Sequence, residues 1–209
     1  MEKTMAGGRT RMNGKILKMV QLSILTAILI VMSITPLGYL RVGTISITFL
    51  MVPVVVGAIV VGPAGGAFLG FVFGLTSFLQ CVTGSDPFGT LTWAVSPIGA
   101  FLVCIPTRVL AGLLPGLFVK AMREKIQLIT FPLAALFGSL LNTFLSLGTL
   151  LLVFSNSPQI AEALGGTVFG FVLATILGTN GVIEAVACTL IGAGLSAALI
   201  KIVPAGKKE

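Results

Sequence analysis

The sequence predicts an all-α integral membrane protein with six transmembrane helices, and three observations support this fold class. Charged residues make up only 9% of the 209 residues, against about 25% in an average soluble domain. Hydrophobic residues make up 56% of the chain, and its mean hydropathy is +1.12. Long stretches carry no charge, and about 20 apolar residues of helix suffice for one crossing. We therefore expect a single membrane domain over 1–209.

Charged residues mark the ends of the predicted helices, because a charge at the centre of a bilayer costs about 2.5–3.5 kcal/mol. The charge-free stretch from Val42 to Ser85 is about twice the length of one crossing, and Gly62-Pro63 lies near its middle. It predicts two helices joined by a tight turn. The six predicted helices span about 19–35, 47–62, 64–82, 97–120, 128–154 and 182–203.

The segment 155–181 is predicted to be an outer loop that contains a short cap helix. Its apolar part, Thr167 to Leu177, would form only about 16 Å of helix. The hydrocarbon core of a bilayer is about 30 Å thick. We therefore interpret this part as a cap and not as a seventh crossing.

The positive charges predict the orientation. With six crossings, every Lys and Arg except Arg41 and Arg108 lies on one side of the membrane. The positive-inside rule then places both termini in the cytoplasm, including a basic N-terminal segment over 1–18. No A-x-A-like cleavage site follows the first apolar run, so we expect a membrane helix there and not a signal peptide. The net charge of +7 fits this topology and contact with anionic lipids, and it gives no support to nucleic-acid binding.

Several kinds of chemistry are disfavoured by composition. The chain has no histidine, which removes Ser-His hydrolysis, HExxH zinc sites and His-ligated haem. Its three cysteines form no CxxC pair, and no Walker motif is present. We expect no catalytic residue, metal or cofactor, so an intramembrane enzyme is a weak alternative. Active transport would require a partner that hydrolyses ATP.

Arg108 is the most informative residue in the sequence. It lies about 16 Å into a predicted helix, where an unpaired guanidinium is costly. Two interpretations are open. In the first, Arg108 has a structural role and forms an ion pair with Glu184 or hydrogen bonds to helix carbonyls. In the second, it binds the carboxylate of a substrate through its planar fork.

Further polar side chains are predicted near the outward half of the helices, where a small polar ligand could supply partners for them. Trp93, the only tryptophan, could instead be an interfacial anchor. The predicted substrate-binding residues are Arg108, Asn142, Asn180, Glu184, Gln80, Trp93, Ser96 and Thr179.

Small residues at four-residue spacing give a second signal. Glycines recur at this spacing from Gly62 to Gly74 on the third predicted helix, and Ser23 and Ala27 form a shorter pair on the first. Such spacing lets two helices approach closely. It fits packing within the chain, or docking of another membrane subunit. The residues predicted for docking are Ser23, Ala27, Gly66 and Gly70.

Six short sequence blocks carry a further signal. They are Thr48–Ala58, Val61–Ala67, Gly70–Phe78, Pro106–Arg108 with Gly112, Gly138–Thr143 and Thr179–Ala185. In this order they resemble the substrate-binding S components of energy-coupling factor (ECF) vitamin transporters. The resemblance covers most of the chain, from the first predicted helix to the sixth.

The resemblance implies a six-helix bundle in the bacterial plasma membrane, with both termini in the cytoplasm, a vitamin site near the outer face and a capping loop between helices 1 and 2. It also implies two kinds of partner, a transmembrane coupling protein and two cytoplasmic ATPase subunits. Members of the family dock through small residues on helix 1, commonly Ala-x-x-x-Ala. The matching pair here is Ser23 and Ala27, which departs from that pattern.

Within the family the blocks look most like the pantothenate branch. Pantothenate is a small carboxylate with hydroxyls and an amide, which suits one buried cation among neutral polar groups. Riboflavin or thiamine would be expected to need more stacking aromatics, and this chain has one Trp and one Tyr. Another vitamin of the same transporter class, such as folate, riboflavin or a pyrimidine precursor, and a structural membrane subunit without ligand are the alternatives.

Overall fold

The structure is a computed structural model. It describes residues 14–35, 38–42, 45–122, 127–177 and 179–202, with backbone alone at 39–42, 45–47, 127–128, 173–177, 179–183 and 199–202. Within these residues the chain forms nine α-helices and one antiparallel pair of strands. In chain order they are α1 Gly14–Ile34, β1 Tyr39–Val42, β2 Ile45–Thr48, α2 Met51–Val60, α3 Pro63–Thr83, α4 Pro87–Val95, α5 Pro97–Ala121, α6 Gln127–Phe154, α7 Pro158–Ala163, α8 Val168–Leu177 and α9 Thr179–Ile202.

Among the described residues, four helices are long and apolar enough to cross a membrane, namely α1, α3, α5 and α6. The described side chains of α9 form a shorter apolar segment, Glu184–Ala198, and α2 is a second one. The helical membrane fold predicted from composition is therefore present. Each of these four helices has at least 21 residues, which is about 31 Å or more of helix. This is enough to cross a hydrocarbon core of about 30 Å.

The connection between α1 and α2 differs from the prediction. Residues 39–42 and 45–48 form an antiparallel pair of strands in which Tyr39 pairs with Thr48 and Val42 with Ile45. The predicted helix 47–62 therefore begins too early, and α2 covers only Met51–Val60. The alternating β-branched residues of Ile45–Thr48 favour a strand. At its other end α2 stops before Gly62, whose φ of +111° favours glycine, and Pro63 begins α3.

The connection between the third and fourth predicted helices, residues 83–96, contains a further helix, α4. Asp86 caps α4, because its Oδ2 accepts a hydrogen bond from the Gly89 backbone N–H at 2.9 Å. Ser96 caps α5 in the same way, with its Oγ accepting from the Gly99 N–H at 3.1 Å. The segment 155–181 was predicted to be an outer loop with one cap helix. Its described part holds two short helices, α7 and α8, and the first residues of α9.

The helix α2 lies at the centre of the bundle. Every residue from Met51 to Ile59 is buried, and α2 packs against α1, α3, α5, α6 and α9. By contrast, α1 buries only Leu25, Leu29 and Ser33. The first helix is therefore peripheral, and the second is the core around which the others pack.

The glycines of α3 pack against the backbone of α5. A Cβ added at Gly66 would clash with the carbonyl oxygen of Gly112, one at Gly70 with the carbonyl of Arg108, and one at Gly74 with the carbonyl of Cys104. The four-residue spacing thus serves packing within the chain. In the structure α5 occupies the face of α3 that carries Gly66 and Gly70, so packing within the chain, one of the two predicted uses of this spacing, is present there.

Candidate ligand-binding site and partner surface

Arg108 extends along its own helix α5 toward the helix N-terminus. Its Nη1 donates hydrogen bonds to the carbonyl oxygens of Val103 at 2.8 Å and Cys104 at 3.3 Å. The guanidinium carbon lies 4.9 Å from the ring centroid of Phe73 on α3, within the range of a cation–π interaction. Bonds to helix carbonyls, one of the two predicted arrangements, are therefore present. Among the described side chains, Arg108 forms no ion pair with Glu184.

The Nε of Arg108 is buried and has no hydrogen-bond partner among the described atoms. A buried donor without an acceptor costs about 1–3 kcal/mol, and more when it belongs to a charged group. An anion placed there would recover this free energy and balance the charge of the guanidinium. The Nε is therefore the atom of Arg108 at which a hydrogen-bond acceptor is missing.

A second polar group lies between α6 and α9. Asn142 Nδ2 donates a hydrogen bond to Glu184 Oε1 at 3.4 Å. Asn142 is only 7% exposed, and its Oδ1 has no partner among the described atoms. Because α6 packs against both α5 and α9, it lies between the helix of Arg108 and the helix of Glu184.

Two serines that were not predicted from the sequence lie on the same face of α6 as Asn142. Ser139 Oγ and Ser146 Oγ are buried and have no partner among the described atoms. The intervals from 139 to 142 and from 142 to 146 are three and four residues, so the three side chains lie on one face of the helix. This spacing of polar residues within an apolar helix was the signal that could have identified them.

Three predicted site residues have partners within the protein. Gln80 Nε2 donates to the backbone oxygen of Ser33 at 2.7 Å and so joins α3 to the end of α1. Trp93 on α4 packs edge-to-face against Phe78, with ring centroids 5.4 Å apart, and Ser96 caps α5. The side chains of the remaining two, Thr179 and Asn180 at the start of α9, lie outside the described residues.

Two cavities that described residues outline lie along α1. One of about 270 Å³ is lined by Ser23, Thr26 and Phe68, among others. The other, of about 480 Å³, lies between α1, α2 and α9 and is almost entirely apolar. Neither is lined by Arg108, Asn142 or Glu184. The evidence for a ligand site at these residues is thus their unpartnered polar atoms and not a cavity.

The similarity to known proteins decides the family. Residues 17–196 match the family model described as "ECF transporter, substrate-specific component". The chain belongs to this family. The predicted resemblance is therefore confirmed, and the family is a class of transporter components and not of enzymes.

Two further similarities bear on this S component. It is 31% identical to the pantothenic acid transporter PanT of Lactococcus lactis subsp. cremoris (strain MG1363) over 163 residues, which are 74% of this chain and 78% of the relative. It also superposes on the solved structure of ThiT from Listeria monocytogenes with a TM-score of 0.60. That match covers 92% of this chain and 97% of ThiT at 22% identity, and it establishes the fold alone.

Small residues on α1 are exposed at the surface of the S component. Ser23 and Ala27 are both exposed, and Ser23 lines the smaller cavity together with Phe68 of α3. Large apolar side chains flank them on the same helix, including Ile24 at 56% and Val31 at 59% exposure. Of the four residues predicted for docking, these two are exposed, whereas Gly66 and Gly70 are buried.

Proposed function

We propose that this S component binds pantothenate for an ECF importer in which partner subunits hydrolyse ATP. The observation that carries the proposal is the buried, unpartnered Nε of Arg108, because a guanidinium at membrane depth is stabilised by a carboxylate. The 31% identity to a pantothenic acid transporter supports this choice of carboxylate among vitamins.

The neutral polar groups supply the rest of the proposed site. Pantothenate carries an amide and two hydroxyls besides its carboxylate. We assign these to the α6 face formed by Ser139, Asn142 and Ser146, together with Glu184 of α9. A ligand hydroxyl donates to Asn142 Oδ1, and the serine hydroxyls can donate or accept.

The other predicted residues take two roles in this proposal. Thr179 and Asn180 at the start of α9 contact the ligand. Gln80, Trp93 and Ser96 already have partners, and they position α3, α4 and α5 around the site. No residue in the proposal performs a chemical step.

The proposed topology has six crossings, with both termini in the cytoplasm of a bacterium. They are the four long helices, α9 and α2. The helix α2 is only about 15 Å long, but it is enclosed by protein and so need not match the lipid thickness as a lipid-facing helix must. The transmembrane coupling protein docks on the α1 surface that contains Ser23 and Ala27, and it connects the S component to two cytoplasmic ATPase subunits. This assignment is supported by family membership and by the exposure of α1.

Binding of tritiated pantothenate to the purified chain in detergent tests the proposal. Saturable binding is expected, and pantothenate should raise the thermal unfolding midpoint. A ligand at 100 times its Kd stabilises a protein by about 2.7 kcal/mol. Folate, riboflavin, thiamine and a pyrimidine precursor serve as matched ligands in the same thermal assay. A shift with one of these and none with pantothenate would refute the substrate assignment, whereas no shift with any would favour a subunit without ligand.

A further inference from the structure

Two buried cysteines from different helices lie in contact. Cys81 on α3 and Cys104 on α5 have their Sγ atoms 3.7 Å apart. They are 4% and 5% exposed. Cys81 Sγ also donates a hydrogen bond to the Ser77 carbonyl at 3.2 Å.

The packing of α3 on α5 explains why the two thiols converge. The α3 glycines meet α5 in reverse order, Gly70 at Arg108 and Gly74 at Cys104, so the helices run antiparallel with their backbones in contact. In each helix the Cα–Cβ bonds tilt toward the N-terminus. Cys81 therefore points back toward the level of Ser77, and Cys104 points toward the same level from the opposite direction.

We propose that Cys81 and Cys104 are a redox-sensitive pair that forms a disulfide within the folded chain. The two S–H bonds break, one S–S bond forms, and two protons and two electrons pass to an oxidant such as molecular oxygen, half a molecule of which becomes water. The sulfurs must approach from 3.7 Å to a bond length of about 2.05 Å. Rotation of the two short side chains supplies this movement.

The position of the pair gives a small oxidant a short path to it. Cys81 lies two residues before the end of α3 at Thr83, and the neighbouring Val82, Thr83 and Gly84 are exposed. Glycine covers the thiol on the α4 side, because a Cβ at Gly89 would lie 2.5 Å from Cys81 Sγ. The cover over Cys81 is therefore thin.

The cross-link would fix the helix turn that holds Arg108. The carbonyl oxygen of Cys104 accepts a hydrogen bond from Arg108 Nη1. A disulfide at Cys104 would connect the residue that accepts this hydrogen bond covalently to α3. The same helix, α3, carries the Phe73 ring that lies against the guanidinium.

The third cysteine supplies a matched control. Cys188 on α9 is buried, at 2% exposure, and the structure gives it no sulfur partner among the described residues. The experiment treats the folded full chain in detergent with copper phenanthroline and oxygen. The protein is then denatured and its remaining thiols are labelled with a maleimide mass tag. Cys81→Ser, Cys104→Ser and Cys188→Ser are treated in parallel, and gel filtration checks that each is folded.

The wild type is expected to keep one reactive thiol, and Cys188→Ser none. In both, peptide mapping should find one intramolecular link between Cys81 and Cys104, with the loss of two hydrogen atoms. Cys81→Ser and Cys104→Ser should keep both of their thiols. The proposal is overturned if the folded wild type keeps three thiols while the reagent oxidises glutathione in a parallel sample, or if the link involves Cys188. Should one serine variant fail to fold, Cys188→Ser and the wild type still decide the outcome.

Discussion

Asn142 Nδ2 lies 3.4 Å from Glu184 Oε1, and this contact joins α6 to α9 inside the bundle. The distance is longer than the usual 2.7–3.2 Å of such hydrogen bonds. The Oδ1 of the same amide has no partner among the described atoms. The Nδ2 of Asn142 therefore makes a long hydrogen bond and its Oδ1 makes none. A ligand hydroxyl could donate to this Oδ1 without breaking a hydrogen bond within the protein.

Replacement of Asn142 tests this link. Asn142→Ala removes the donor to Glu184 and the free Oδ1 together, so we expect pantothenate affinity to fall about 10-fold or more, equivalent to about 1.4 kcal/mol. Asn142→Asp is the matched variant, because it keeps the shape and Oδ1 but places a second carboxyl beside Glu184. Calorimetric titration of both should give weaker binding. Wild-type affinity in Asn142→Ala would remove this residue from the site.

Arg108 is expected to dominate ligand affinity. Loss of a hydrogen bond to a charged group costs about 1.5–3 kcal/mol, so Arg108→Ala should weaken pantothenate binding about 10- to 150-fold. Arg108→Lys keeps the charge but lacks the planar fork and should lie between the two. Lys120→Ala, at the exposed end of α5, is the control and should bind as the wild type does. Equal affinity in all four proteins, measured with tritiated ligand, would contradict the assignment.

The contact between α3 and α5 makes Gly70 intolerant of a side chain. In Gly70→Ala the new Cβ meets the carbonyl of Arg108, and overpacking of this kind typically costs about 1–3 kcal/mol. We expect a lower thermal unfolding midpoint. Gly148→Ala on α6 is the matched control, because nothing lies within 4 Å of the added Cβ. It should be neutral or more stable by up to about 1 kcal/mol, since alanine favours helix. Equal midpoints for the two variants would argue against the close contact.

A bulky residue on α1 should block assembly and spare ligand binding. Ala27→Trp places an indole on the proposed docking face, so less coupling protein and ATPase should co-purify with the tagged S component. Phe144→Trp changes a 54% exposed residue of α6 and should leave co-purification unchanged. Both variants should bind pantothenate as the wild type does. Normal assembly of Ala27→Trp would place the docking surface elsewhere.

Three of the four long helices could be predicted closely from charge spacing, whereas α1 begins at Gly14, five residues before its predicted start. The structure has α3, α5 and α6 at 63–83, 97–121 and 127–154, within one residue of the predicted limits. The strands at 39–42 and 45–48 could not be found in this way, because absence of charge does not distinguish a short strand from the start of an apolar helix. The alternation in Ile45–Thr48 was the available signal.

The contacts of the predicted site residues could not be predicted from the sequence. The cost of a buried charge or amide identified Arg108, Asn142 and Glu184 individually. That Asn142 reaches Glu184, while Arg108 bonds to its own helix, depends on how the helices rotate about their axes, which spacing along the sequence does not determine. For the same reason the glycine spacing of α3 predicted a close contact without saying that α5 makes it.

The enclosure of α2 has a consequence for how the chain is made. With ten residues it is about 15 Å long, half the thickness of the hydrocarbon, and its neighbours screen Met51–Ile59 on every side. Such a segment has no lipid-facing surface of its own to hold it in place during biogenesis. We expect it to leave the translocon as one unit with α3, across the sharp bend at Gly62, and to settle only once later helices have arrived to surround it.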